Sequence, residues 1–291
     1  MSIEISAEMR NMLDKRRAEK AKMYKDVTMT GNEVHIPTTV GSVRCLVYRP
    51  TEHRPSPLPV FFDLHGGGFN AGELGRDEAF CRFIADALGI CVIGIDYPLA
   101  PEHPYPEEKE ASYEVIRYVA QNWAQFGISP NRMAVGGHSS GANIATVIAM
   151  MAAARNEFSL RCQILDYPPT DICTPASQRP IAEGPLSASL MDMFNTCYRT
   201  PEQSKDPYCS PLFATDEQLK SLPPTMLITC EKDPLNDEGE QYGMRLVQNG
   251  VLTTMIRYPG MLHGFTEDPS LEASQDAYQM MANYLENYLN R

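Results

Sequence analysis

No stretch of the 291 residues reaches the roughly 18 uninterrupted apolar positions that a membrane-crossing helix requires. The nearest, Gly141 to Ala154, is interrupted by Asn143 and Thr146. Positive charge is scarce: 25 Lys and Arg stand against 37 Asp and Glu, a formal net charge of −12. That excess repels nucleic acid and anionic bilayers, so neither partner is expected. The densest basic stretch, Lys15-Arg16-Arg17 with Lys20 and Lys22, shares its region with Glu4, Glu8, Asp14 and Glu19 and reads as a solvated helix face. Eight cysteines occur, yet no two stand at C-x-x-C spacing and most lie in apolar segments. They read as buried free thiols rather than a disulfide frame or a zinc site, and no metal is expected. Residues 1–8 carry acids where a secretion signal would carry Lys or Arg and then an apolar run. The expectation is a soluble protein of a reducing cytoplasm.

An apolar share of 43% excludes a disordered chain. Residues 6–25 have helical spacing among many charges. Strands are expected at 43–48, 60–64, 90–96, 133–137, 161–166, 225–230 and 254–258. Helices are expected at 78–88, 106–126, 142–155, 236–249 and 271–289. Strands alternating with helices of this length imply βαβ crossovers and a mostly parallel, twisted sheet covered on both faces, an α/β fold. One stretch breaks the alternation: ten of the 23 prolines fall between Pro168 and Pro224, which no regular sheet layer could hold. It reads as an insertion of short helices and loops over one end of the sheet. No internal repeat or linker divides residues 1–291, so a single domain with a small cap is expected.

Gly137-His138-Ser139-Ser140-Gly141 lies between an expected strand and an expected helix. A serine on so sharp a turn adopts strained backbone angles that push its hydroxyl above the sheet, with the positive end of the following helix aimed at it. Glycines two residues either side remove Cβ atoms that would collide with neighbouring backbone. Such a hydroxyl needs a base, and the base an orienting acid, which in this architecture follow in the order Ser, Asp or Glu, His. Asp233 comes just after the strand 225–230, and His263 lies in the loop after 254–258, which sets both at the sheet edge of Ser139. His65-Gly66-Gly67-Gly68, directly after a strand, supplies backbone N–H groups for an oxyanion. The alternative, a phosphate cradle, lacks the Lys-Ser/Thr that it requires. Asp237 is a second candidate for the orienting acid. His65 reads as a brace of the glycine loop, and no base role is expected of His138.

These segments, with Tyr97-Pro-Leu-Ala-Pro-Glu-His-Pro104, Asp233-Pro-Leu235, Asp237-Glu-Gly239 and His263-Gly-Phe265, occur in one order over residues 65–265. The set resembles the hormone-sensitive-lipase-like family of α/β-hydrolases, in its bacterial carboxylesterase and acetyl esterase branch. The resemblance implies an α/β-hydrolase fold with a small helical cap formed by about 1–40 and about 170–218. It implies Ser139 as nucleophile, His263 as general base and Asp233 as the acid that orients it. Gly67, Gly68 and the N–H of Ser140 would form the oxyanion hole. Here His138, Ser140 and Ala142 stand where the family's elbow is commonly Gly-Asp-Ser-Ala-Gly-Gly.

The resemblance further implies a serine esterase without a cofactor, acting on a small-molecule ester, and dimers are frequent in families of this type. The hydrophilic chain and modest cap favour short acyl groups, acetyl to about hexanoyl. A sugar-acetyl esterase, an amidase and a lactonase stay open. A non-catalytic ligand-binding protein on the same scaffold is disfavoured, because relatives of that kind have lost the histidine kept here as His263.

Overall fold

In the computed structural model, which describes residues 3–179 and 184–290, eight strands form one sheet. They are β1 (Asn32–Thr38), β2 (Gly41–Tyr48), β3 (Leu58–Leu64), β4 (Cys91–Asp96), β5 (Ile128–His138), β6 (Cys162–Asp166), β7 (Thr225–Lys232) and β8 (Thr253–Leu262). The order across the sheet is β1-β2-β4-β3-β5-β6-β7-β8. β2 runs antiparallel to both of its neighbours, and every pairing from β4 to β8 is parallel. Parallel strands buried on both faces read as continuous apolar runs, which is why Val60-Phe61-Phe62-Asp63-Leu64 shows no alternation.

The period of two survives in the packing. Val60, Phe62 and Leu64 join one core with Cys91, Ile93 and Ile95, whereas Phe61 and Val92 join the other. The first core is covered by α3 (Glu107–Gln121), α5 (Ser140–Arg155) and α8 (Asn236–Gln248). The second is covered by α2 (Glu78–Leu88) and α9 (Glu272–Leu289). The Ala-rich α5 is buried without interruption from Ser140 to Ala152. All eight cysteines are free, and all but Cys173 are buried.

Three readings of the sequence are corrected. The helix expected over 106–126 is broken at Asn122, whose Nδ2 donates to Tyr118 O at 2.8 Å, and the chain restarts as the short α4 (Trp123–Phe126). This is the usual competition of an Asn side chain with helical hydrogen bonding. Asn32–Thr38, expected within the cap segment of about 1–40, forms the edge strand β1 instead, paired with β2 from Asn32↔Val47 to Thr38↔Gly41. The basic stretch near residue 16 is a solvated face only in part: Lys15 and Lys22 are exposed, whereas Arg16, Arg17 and Lys20 are half-buried. In α1 (Ala7–Tyr24), Arg17 Nε donates to Asn70 O and Nη2 to Ala100 O, each at 2.8 Å. Leu13 of the same helix is buried against Met193, Phe194 and Cys197 of α6 (Ala188–Tyr198).

The proline-rich stretch holds no strand among its described residues. It forms α6, α7 (Asp216–Lys220) and single turns at Ala176–Gln178, Glu202–Lys205 and Pro211–Phe213. Because Phe62 is fully buried in the sheet's centre, Phe62→Ala is expected to cost about 3–5 kcal/mol in urea unfolding, and a loss below about 1 kcal/mol would contradict this packing.

Candidate active site

The turn from β5 into α5 forces Ser139 to φ 53° and ψ −119°, a left-handed backbone uncommon for a residue with a side chain. Two close approaches hold it there. A Cβ on Gly141 would lie 1.8 Å from Leu64 O, and one on Gly137 would lie 2.5 Å from the same oxygen. Ser139 N donates to Asp166 O at 2.9 Å, which ties the turn to the end of β6. The hydroxyl is left facing His263, with Ser139 Oγ 2.9 Å from Nε2.

His263 follows β8, and its Nδ1 lies 2.7 Å from Oδ2 of Asp233, which follows β7. The other carboxylate oxygen of Asp233 accepts the N–H of Leu235 at 2.9 Å, so both oxygens are engaged. With Nδ1–H directed to the carboxylate, Nε2 presents its lone pair to the serine hydroxyl. The structure thus brings Ser139, His263 and Asp233 into one hydrogen-bonded line. Asp237, the second candidate acid, is exposed in the first turn of α8 and takes no part.

The glycine loop follows β3. Gly67 and Gly68 have φ of 139° and 64°, and a Cβ on them would lie 1.6 Å from Ala71 O and 2.3 Å from the Phe194 ring, respectively. The loop is fastened by Ala71 N to Gly67 O at 3.1 Å and by Asn70 Nδ2 to Phe194 O at 3.2 Å. His65 braces it from below: its ring stacks on Tyr97 at 4.1 Å and Nδ1 lies 2.9 Å from Gly66 O. Ser140 is buried at the start of α5, where backbone N–H groups lack helical acceptors, and its own hydroxyl lies 3.2 Å from Tyr97 OH. Gly67, Gly68, Ser139 and His263 line one cavity of about 260 Å³, completed by side chains of α1, α6 and residues 169–179 and 185–186. Among the described residues, no group of three or more His, Cys, Asp or Glu is placed to hold a metal ion. No helix among them is long and apolar enough to cross a membrane.

Sequence reasoning missed a buried layer beneath this line. His138 Nδ1 lies 2.7 Å from Asp166 Oδ2, which also accepts the Thr266 hydroxyl at 2.7 Å, and His138 Nε2 lies 3.7 Å from Asp63 Oδ1. Tyr167, at φ 38°, sets its ring edge-on against His263 at 4.8 Å. Burial opposes a charge on His138, but its hydrogen bond to Asp166 and the charges of Asp77 and Asp63 outweigh it and lift the pKa to about 9. The only sequence mark of this layer was the histidine at an elbow position where the related family commonly has Asp.

In the unfolded chain His138 titrates near about 6.5. The stabilisation from its charge is therefore complete below that pH and is lost as pH rises through about 9. The urea midpoint is expected to fall between pH 6.5 and 9.5 in the native chain, and by clearly less in His138→Gln. An equal fall in both would contradict the assignment.

The chain matches the family described as alpha/beta hydrolase fold over residues 61–267. It is 34% identical to the carboxylic ester hydrolase LipN of Mycobacterium tuberculosis over 254 residues, which is 84% of this chain and 65% of LipN. The chain thus spans about two thirds of that relative. It is 29% identical to the ethyl acetate hydrolase of Pseudomonas putida over 279 residues, 94% of this chain and 85% of that protein. Among solved structures, the hyperthermophilic esterase of the archaeon Pyrobaculum calidifontis superposes with a TM-score of 0.87 at 34% identity, covering 96% of this chain and 93% of that one. Because the matched stretch takes in the glycine loop, the serine turn and the histidine loop, the chain belongs to the α/β-hydrolase family, in its hormone-sensitive-lipase-like carboxylesterase branch.

Proposed function

We propose that the protein is a serine carboxylesterase that hydrolyses short-chain esters, acetyl to about hexanoyl, through an acyl-enzyme on Ser139. The observation that carries this reading is the unbroken line Ser139–His263–Asp233, at 2.9 Å and 2.7 Å, opening into the cavity that Gly67 and Gly68 also line. His263 Nε2 takes the hydroxyl proton as Oγ attacks the ester carbonyl, and Asp233 steadies the imidazolium that forms. The N–H groups of Gly67, Gly68 and Ser140 receive the charge that develops on the carbonyl oxygen, each such donor contributing about 10²–10³ in turnover. His263 then returns the proton to the departing alcohol. Water, activated at the same nitrogen, releases the acid and restores Ser139. In this reading α1 and the segment of about 170–218, of which 180–183 lie outside the described residues, act as the cap over the site.

The preference for short acyl groups rests on the cavity. The part beside Ser139 holds about 260 Å³, below the roughly 300–1,000 Å³ of sites for drug-sized ligands, and Phe194, Met191, Leu186 and Leu235 line it, while His263 and Glu267 also border an adjoining space of about 590 Å³. The test is hydrolysis of p-nitrophenyl esters from acetate to decanoate, run beside Ser139→Ala. Rates are expected to peak at the short chains and to fall by on the order of 10⁶ in the variant. Activity that persists in folded Ser139→Ala would overturn the assignment, and a peak at decanoate would overturn the chain-length range.

A further inference from the structure

The walls of this cavity are unevenly charged for a chain with a net charge of −12. Arg16, Lys20 and Arg76 stand together on one side, and the one lining carboxylate beside them is Glu267. Glu267 accepts Arg76 and lies 3.6 Å from Lys20 Nζ, and the charge of the buried Asp77 also favours the Lys20 ammonium, so two acids face three cations. The other lining acid, Asp171, is spent on the N–H groups of Cys173 and Thr174, and Arg179 beside it is paired with Glu238. Arg16 has no carboxylate partner among the described residues. Nε of Arg16 and Nε of Arg76 are both buried without a hydrogen-bond partner there, and the Arg76 side chain is only 6% exposed.

A clamp that merely fastened α1 to the body would satisfy its cations, as Arg17 does with Asn70 O, Ala100 O and Glu102. Arg16 and Arg76 instead line the cavity, and Arg16 there has no acid of its own among the described residues, so a carboxylate entering the cavity meets a guanidinium without an ion-pair partner. Lys20 feels the two guanidinium groups: its pKa falls to about 8 through burial first, then Arg76 and Arg16, with Asp77 opposing. The cluster also sits close to the reacting atoms. Arg16 lies over the Phe194 ring at 5.1 Å, the ring that closes on Gly68, and a Cβ on Gly66 would lie 3.0 Å from the Arg76 guanidinium. Glu267 reaches toward Gly264, the residue after His263.

We propose that this wall is an anion subsite: the substrates are esters carrying a carboxylate on their acyl or alcohol part, which Arg16, supported by Lys20 and Arg76, binds. The proposal rests on the esterase reading and narrows its substrate class. The test compares neutral and charged pairs of matched shape. Monoethyl glutarate against ethyl pentanoate places the charge on the acyl side, and 4-acetoxybenzoate against 4-methylphenyl acetate places it on the alcohol side. In at least one pair the charged ester is expected to show a kcat/KM about tenfold higher, and Arg16→Gln or Lys20→Met is expected to shrink that ratio about tenfold. Hydrolysis of the neutral esters with no preference in either pair, or a preference that both variants retain, overturns the subsite and leaves the esterase reading standing. If no ester is turned over, the esterase reading fails, and binding decides the subsite separately. Calorimetry should then find glutarate bound to Ser139→Ala about tenfold more tightly than to Ser139→Ala carrying Arg16→Gln, and equal binding would overturn the proposal.

Discussion

The site depends on one steric constraint, the closeness of the α5 N-terminus to the end of β3. Leu64 O occupies the space that a Cβ on either Gly137 or Gly141 would need, so the chain can turn there only with glycine at both positions. That packing leaves Ser139 in its left-handed backbone and its hydroxyl turned out of the sheet. The same residue, Leu64, is the last of β3 and leads directly into the glycine loop. One contact therefore registers the serine hydroxyl against the loop amides, with no flexible segment between them. The parallel order β5-β6-β7-β8 then delivers Asp233 and His263 to the same edge.

Support for this edge comes from buried charge as much as from apolar packing. Below the serine turn, His138 joins Asp166 and Asp63, and Thr266 carries the link to the loop that follows His263. Beside the glycine loop, Lys109 is 1% exposed, lies over the Phe69 ring at 4.9 Å and donates to Asn143 of α5. Its neighbour Glu108 accepts the hydroxyl of Tyr198 in α6 at 2.6 Å. Burial pulls the Lys109 ammonium down to about 8, countered by Glu108. Removing one partner of such a cluster would strand the other charge, so the glycine loop, α5 and α6 are held in common.

Much of this was legible in the sequence because the signals were local. The buried strands are short apolar runs, and the glycines flank Ser139 at fixed spacing. Asp233 and His263 each follow a strand at the right place in the chain. The parts that were not legible depend on contacts distant in sequence. β1 is mostly exposed and carries Pro37, so its alternation is weak until β2 is paired beside it. The break at Asn122 is decided by one side chain competing with the helix backbone. The face of α1 that bears Leu13, Arg17 and Lys20 is dense in charge, and composition alone marks it as solvated. Only the partners Asn70, Ala100 and Glu267, at least 50 residues away, reveal that it faces inward.

The central claim is that the backbone strain at Ser139 and its line to His263 and Asp233 create a nucleophile. Its most direct measurement is covalent labelling by a fluorophosphonate, with the adduct mapped by peptide mass spectrometry. The account predicts one adduct, on Ser139, forming slower by about 10²–10⁴ when His263 is replaced by Gln, the range expected for loss of a general base. An adduct on another residue, or labelling of Ser139 at an undiminished rate in folded His263→Gln, would contradict it.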